Sequence, residues 1–148
     1  MISLKKTLSA ICSSISSMTS SISSITSSLG NVPHYTLLWT NPSTADTFAT
    51  QIISLDLTDY DAIVVVASVW RADGERTSMF CFEKNVTYQL VTTQTEVFRY
   101  RDFSFSNSGV TFGSGTYIPT YGTWKTKTND RICVPLKIYG IKYGGGAA

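Results

Sequence analysis

The sequence has little of the chemistry from which most active sites are built. It holds one histidine, His34, and three cysteines, Cys12, Cys81 and Cys133, with no Cys-x-x-Cys spacing. A Ser-His-Asp triad or a Cys-His pair would depend on His34, which follows Pro33 in a predicted connector. One histidine is also too few for a typical zinc site. The sequence therefore predicts no catalytic residue, no metal and no cofactor.

Charge is also scarce, and it is evenly balanced. Twelve Lys and Arg residues face ten Asp and Glu residues in a chain of 148, which gives a net charge of +2. Two of the basic residues, Lys5 and Lys6, are the only charges in the first thirty positions, so the rest of the chain is neutral. Nucleic-acid binding relies on clustered cations that neutralise phosphates, so we expect no nucleic-acid partner.

The first thirty residues are low in complexity, yet their apolar residues are strictly spaced. Twelve Ser and three Thr fill half of these positions. Apolar residues alternate at intervals of three and four, which is the heptad pattern of a coiled coil. With Met1 as the first a position, the predicted apolar seam consists of Leu4, Leu8, Ile11, Ile15, Met18, Ile22, Ile25 and Leu29.

The composition of the heptads indicates which oligomer would form. Ile stands at both a and d in the central heptads, which favours three or four strands over a parallel dimer. The e and g positions hold Lys5, Cys12, Thr19, Thr26, Thr7, Ser14, Ser21 and Ser28, so no acidic residue is available to select a foreign partner. We therefore predict a parallel homotrimer, with a tetramer as the alternative. Gly30 and Pro33 are expected to end the helix.

Two other interpretations of this segment remain open. Lys5 and Lys6 followed by residues 7–15 could form a secretory signal, but four hydroxyl residues interrupt the apolar run. A lipoprotein site at Cys12 fits poorly, because Ile11 precedes it where a small residue is expected. Ser-rich segments are also commonly disordered. We favour the coiled coil and expect no membrane insertion.

The rest of the chain predicts an all-β domain. About eight short strands recur every ten or so residues, with no helical pattern between them. They cover Tyr35–Thr40, Phe48–Leu57, Ala62–Trp70, Thr77–Glu83, Val86–Thr92, Glu96–Ser106, Val110–Phe112, Gly115–Ile118 and Arg131–Lys142. The predicted fold is mainly β, a jelly-roll-like β-sandwich head after a coiled-coil helix. The expected boundaries are stalk 1–30, linker 31–35, head 36–143 and tail 144–148.

Several strands carry more detailed predictions. Ala62–Trp70 is apolar on both faces, which is typical of a central buried strand. In Glu96–Ser106 the alternation changes phase at Asp102, which predicts a bulge or bend. In Arg131–Lys142 the residues Ile132, Val134, Leu136 and Ile138 are expected to share one face. Cys81 and Cys133 lie in apolar runs and are interpreted as buried small hydrophobic residues.

Acidic residues allow two weaker interpretations. Asp56, Asp59 and Asp61 could offer oxygen ligands to calcium, but the segment has no glycine at its bend and no terminal Glu. We therefore interpret them as solvated connector charges. A glycosidase needs only two carboxylates, yet no pair is singled out by its surroundings.

Residues 106–129 combine glycines with aromatic residues and lysines. Aromatic faces can bind sugar rings or peptides, and Lys supplies hydrogen-bond donors. Candidate receptor-binding residues here are Tyr117, Tyr121, Trp124 and Lys125, and the charged loop of residues 71–76 offers Arg71 and Arg76 as alternatives. The competing interpretation is that these aromatic residues close the end of the sandwich or the trimer axis.

Three stretches carry a resemblance to a known class of proteins. They are Leu37–Pro42 (LLWTNP), Ile53–Asp61 (ISLDLTDYD) and Leu136–Lys142 (LKIYGIK). Together with the Ser-rich heptads, they resemble the small trimeric fibres of tailed bacteriophages, either head fibres or tail-fibre tips. The resemblance implies a protein of the virion surface, assembled in the host cytoplasm. It implies an N-terminus attached to another virion protein and a head that contacts a cell-surface glycan or protein.

Three functions remain open from the sequence. The first is a receptor-binding fibre, and the second is a decoration or adaptor protein without a ligand. The third, which we favour least, is a glycan-degrading enzyme of the tailspike type. The first two would share a fold and differ only in whether the exposed loops bind anything.

Overall fold

The computed structural model describes residues 4–30, 32–43, 47–70, 76–94, 97–119 and 127–144. Contacts divide the chain into two compact units. One contains the N-terminal residues through His34 together with the C-terminal residues from Tyr143, and the other runs from Tyr35 to Lys142. In the residues described, the chain is mainly β, with a single helix before two antiparallel sheets.

Helix α1 covers Leu4–Gly30, which is 27 residues and about 40 Å at 1.5 Å per residue. Its many hydroxyl groups are accommodated by hydrogen bonds to the preceding turn. Thr19, Ser20, Ser21 and Ser28 each donate to the carbonyl four residues earlier, at 3.0–3.1 Å. Such bonds bring no gain in helix stability, so the helix needs another source of stability.

The apolar side chains of α1 are exposed in the single chain. The exposed fractions of Leu8, Ile11, Ile15, Met18, Ile22 and Ile25 lie between 50% and 63%. The side chains of Leu4 and Leu29, the two ends of the predicted seam, lie outside the described residues. Ser-rich helices are weak in isolation, so this exposure is the main structural feature of the N-terminal unit.

The second unit is a sandwich of two antiparallel sheets. Its strands are β1 (His34–Thr40), β2 (Gln51–Ser54), β3 (Ala62–Trp70), β4 (Arg76–Cys81), β5 (Thr87–Gln94), β6 (Val97–Ser106), β7 (Gly109–Pro119), β8 (Lys127–Thr128) and β9 (Ile132–Lys142). One sheet has the order β1-β9-β3-β4, and the other has the order β2-β7-β6-β5 with β8 beside β7. We call this unit the head.

The core lies between the two sheets. Ile63, Val65 and Ile138 come from the first sheet, and Phe103 and Phe112 come from the second; all are at most 2% exposed. The rings of Phe103 and Phe112 stack at 5.6 Å. Strand β3 lies between β9 and β4, and most of its side chains are buried, so the prediction of a central buried strand is confirmed.

The bulge predicted at Asp102 is present, but its extra residue lies in the partner strand. Arg101 pairs with Gly115 and Phe103 pairs with Phe112. Between these two pairs, β7 contains one more residue than β6. Strand β6 therefore keeps its alternation unbroken, and Arg101 lies on the same face as Phe103. The predicted change of phase within β6 is wrong.

Two strands differ from their predicted extents. Strand β7 is continuous from Gly109 to Pro119, where the sequence suggested two short strands separated by glycines. Its pairing with β6 on both sides of the bulge overrides the turn tendency of Gly113. Strand β2 is confined to Gln51–Ser54 within the longer predicted segment Phe48–Leu57, because only these four residues pair with β7.

In β9 the predicted shared face is interrupted. Val66 pairs with Lys137 and Ala67 pairs with Pro135, so Leu136 is an extra residue with no partner position in β3. Leu136 is half-buried, whereas Ile132, Val134 and Ile138 are fully buried. The backbone amide of Asn41 donates to the Leu136 carbonyl at 2.9 Å, and this bond holds the bulge.

Candidate functional site

A buried arginine joins the two sheets at one end of the head. Arg101, in β6, is 0% exposed. Its Nε donates to the carbonyls of Ile132 and Cys133, both at 3.1 Å. Its Nη2 donates to the Asp130 carbonyl at 3.0 Å, and its Nη1 donates to the Gly113 carbonyl. The guanidinium thus joins the start of β9, together with Asp130 just before it, to the second sheet.

The electrostatics of this arginine follow from its burial. Burial lowers the pKa of Arg101 to about 10, and the nearby charge of Asp130 opposes that change. The guanidinium therefore remains charged at neutral pH. Its centre also lies 5.5 Å from the centroid of the Phe48 ring, within the range of a cation–π contact.

The backbone around the arginine is also unusual. Cys133 has a φ of 46° although it stands inside a strand, and residues other than glycine rarely adopt this conformation. The Cys133 carbonyl accepts a hydrogen bond from Arg101, which gives the strained conformation a compensating contact. Burial raises the pKa of the Cys133 thiol to about 11, so this cysteine is inert at neutral pH.

Asn129 organises the loop next to this arginine. Its backbone amide donates to the Gly115 carbonyl at 2.6 Å, and its own carbonyl accepts from Ile132 at 3.2 Å. Its side-chain oxygen accepts from the Arg131 amide at 3.0 Å. A Cβ added at Gly115 would collide with the Asn129 carbonyl and lie 2.8 Å from that of Ile132. The loop can approach β7 this closely only because residue 115 is glycine.

A cavity of about 250 Å³ lies beside this loop, lined by Val97, Arg99, Tyr117 and Asn129. Arg99 and Tyr117 are directly opposite each other on the paired strands β6 and β7. Drug-sized ligands usually occupy pockets of about 300–1,000 Å³, so this cavity is suited to one sugar ring or one side chain. Its lining combines a cation, an amide and an aromatic ring, which together can bind a polar ring-shaped ligand.

The structure brings one predicted site residue into this cavity and places another elsewhere. Tyr117 lines the cavity and is half-buried. Arg76 is exposed at the first position of β4, in the other sheet. The predicted residues Tyr121, Trp124, Lys125 and Arg71 lie outside the described residues. The described parts of the chain therefore associate Tyr117 with the cavity and do not associate Arg76 with it.

Sequence reasoning missed Arg99 and Asn129 as lining residues. A signal for Arg99 was present: residues 99, 101, 103 and 105 alternate without interruption, and the last two are phenylalanines that belong in the core. Strict alternation would have placed both arginines on the core-facing side of β6. Asn129 carried no such signal, because its role depends on the close approach to Gly115.

The acidic connector between β2 and β3 is held by local hydrogen bonds. Asp56 accepts a bond from the Thr58 amide at 3.1 Å, and bonds to the Thr58 side chain and backbone lower the pKa of Asp56. The Asp61 amide donates to the Ile141 carbonyl at 2.9 Å. Within the described ranges, no group of three His, Cys, Asp or Glu residues is placed to bind a metal.

Comparison with protein-family models, with curated proteins and with solved structures finds no match. Among the described residues, no helix combines the length and apolar character required to cross a membrane.

Proposed function

We propose that this chain is the subunit of a homotrimeric virion fibre that presents its β head for attachment to a host surface. The observation that carries the proposal is the exposure of Leu8, Ile11, Ile15, Met18 and Ile25, at 50–61%, along one heptad-spaced stripe of α1. In a parallel coiled coil of three chains, these side chains would be buried against their copies. The helix would then gain the stability that its serines do not provide.

The jelly-roll assignment belongs to the same proposal. In a jelly roll the strands are nested, so that the first lies beside the last and the second lies beside the one before the last. The pairs β1–β9 and β2–β7 follow this nesting when the two-residue strand β8 is left aside. The hairpins β3–β4 and β5–β6 do not follow it, so the head resembles a jelly roll in its outer strands only.

Attachment would use the cavity of Val97, Arg99, Tyr117 and Asn129. One such cavity offers few contacts, and a single copy would bind weakly. Three copies on one fibre raise the effective concentration for the second and third contacts. Three sites of low affinity can therefore bind a cell surface with high avidity. The partners in this proposal are a cell-surface glycan or protein at the head and another virion protein at the N-terminus.

The test is a binding assay with the labelled full-length chain on candidate host cells and on a glycan array. We expect Tyr117→Ala and Trp124→Ala to reduce binding at least tenfold while the melting temperature stays within a few degrees of the parent. Tyr143→Ala is the matched control, because Tyr143 is an aromatic residue that is 39% exposed outside the strands of the head. We expect its binding to be unchanged.

The other outcomes separate the remaining functions. A trimer that binds no cell and no glycan would indicate a decoration or adaptor protein. Release of shortened glycan during the assay would indicate a depolymerase. If both site variants unfold, these aromatic residues belong to the core, and the charged segment with Arg71 and Arg76 becomes the next surface to test.

A further inference from the structure

Strand β1 is an edge strand with an unusual surface. It ends the first sheet, next to β9. Tyr35 and Leu37 lie on one face of it and are 60% and 50% exposed. Edge strands in soluble proteins are usually protected by charged residues, prolines or a covering element. The sequence of β1, HYTLLWT, contains no Lys, Arg, Asp, Glu or Pro.

The other edge strands differ in what they expose. Strand β5, at the edge of the second sheet, exposes Thr87 and Gln89, which are polar. Phe82, after β4, is 59% exposed, but Glu83 and Lys84 follow it directly. Strand β2, the other edge of the second sheet, also exposes an apolar residue without a neighbouring charge, Ile52 at 66%. Strand β1 differs from it in exposing two apolar side chains on one face and in following α1 directly along the chain.

The absence of charge around β1 is continuous with that of the helix. From residue 7 to residue 45 the sequence contains no Asp, Glu, Lys or Arg. This stretch includes the apolar stripe of α1 and the whole of β1. Only residues 31–33 separate the end of α1 from the start of β1. If three helices associate, β1 is the strand of each head that lies nearest to the helix along the chain.

We propose that the face of β1 carrying Tyr35 and Leu37 is a contact between heads, covered by a second copy of this chain. This inference rests on the proposed trimer and adds the head surface through which its subunits meet. The partner must be apolar and uncharged, and the same face of a second copy has these properties. The contact would also cover the exposed edge of the first sheet. Uncovered, this edge could pair with strands of other chains and cause aggregation.

Photocrosslinking on the full chain tests this contact directly. The photoreactive residue p-benzoylphenylalanine is incorporated in place of Leu37, and in a second protein in place of Phe82, which is similarly exposed. On irradiation we expect position 37 to give adducts at two and three times the chain mass of 16.2 kDa. The crosslinked peptide should lie in the head of the second copy. Position 82 should give only the single-chain mass.

A charge variant supplies a second measurement. Leu37→Lys should lower the melting temperature of the assembled protein by about 5 °C, since it places like charges in a shared contact. Phe82→Lys should leave it within about 1 °C, as expected for an exposed site outside a contact.

The outcomes distinguish a failure of the proposed head contact from a failure of the proposed trimer. If sedimentation shows a trimer while position 37 gives no intermolecular adduct, the head contact is wrong and the helical trimer stands. If the adduct maps to α1 of the same or another chain, a helix covers β1 and the inference is also wrong. If the chain sediments as a monomer, both proposals fail together.

Discussion

The helix and the head differ in whether their own chain buries their apolar side chains. In the head, Ile63, Leu57 and Phe112 are fully buried by elements of the same chain. In α1, Ile15 and Met18 remain 53% and 58% exposed. The head therefore has its own core, whereas the helix has an apolar stripe whose burial would require a partner.

This difference predicts how the two units should respond to change. The stability of the head is expected to depend mainly on contacts within one chain and to change little with protein concentration, since only the β1 face is proposed to meet a second copy. The stability of the helix should depend on association and should fall on dilution.

The largest effect is expected from charge in the helical stripe. Ile15→Asp would place three carboxylates together at the centre of the trimer, and burying such like charges costs several kcal/mol. We expect loss of the trimer by sedimentation and loss of helical circular dichroism, with the head still folded. The controls Ser16→Asp and Ser17→Asp lie away from the stripe and should be nearly silent. Equal behaviour of stripe and surface variants would contradict the coiled coil.

The head should be most sensitive at its buried arginine. Arg101→Met would leave up to four carbonyls without their donor, and we expect a loss of about 3 kcal/mol of unfolding free energy. The measurement is urea unfolding followed by intrinsic fluorescence. Arg131→Met removes an exposed arginine nearby and should change the free energy by less than about 0.5 kcal/mol. Similar losses for the two variants would show that Arg101 does not join the sheets.

A smaller effect is expected where the loop approaches β7. Gly115→Ala should destabilise the head by about 1–3 kcal/mol, because the added methyl group overlaps the Asn129 carbonyl. At Gly113 a Cβ would lie 3.4 Å from its nearest neighbour, the Asp102 carbonyl. Gly113→Ala is therefore the matched control and should cost under about 1 kcal/mol. A reversed order of the two losses would contradict the described loop geometry.

The reactivity of the three thiols should distinguish the helix from the head. Cys12 is exposed on α1, whereas Cys81 and Cys133 are buried in the head. We expect one thiol per chain of the folded protein to react with a disulfide reagent at pH 8. The other two should react only after unfolding. Rapid reaction of two or three thiols without unfolding would show that the head is open.

The smallest effect concerns pH. Burial raises the pKa of Cys81 from 9.0 to about 12 and that of Cys133 from 9.0 to about 11. The unfolded chain loses these protons first, so stability should fall as pH rises above 9, by about 1 kcal/mol per pH unit for each thiol. Arg101 acts in the opposite direction, but only above its folded pKa of about 10. Between pH 9 and 10, Cys133→Ala should reduce the slope of stability against pH.

Much of this architecture could be predicted from periodicity. The spacing of apolar residues predicts α1 and its end at Gly30, and the apolar run of β3 predicts a central strand. The burial of Cys81 and Cys133 follows from their apolar neighbours in the sequence. In each case one local pattern determines the outcome, because the residues concerned interact mainly with their own element or with a single neighbouring layer.

The parts that could not be predicted depend on distant pairs. The alternation of β6 indicates that Arg101 faces the core, but it does not indicate what would satisfy the charge there. The four carbonyls that accept its hydrogen bonds belong to residue 113 and to residues 130–133, which are distant in the sequence. The bulge at Leu136 depends on Asn41, which is far away in the sequence. The cavity at Tyr117 needs Arg99 from β6 and Asn129 from the loop before β9. Only the fold brings these residues together.

Sedimentation equilibrium of the full chain at micromolar concentration tests the central claim most directly. We predict a single species at three times the chain mass of 16.2 kDa, which dissociates when Ile15 is replaced by Asp. A species at the mass of one chain, unchanged by that substitution, would contradict it.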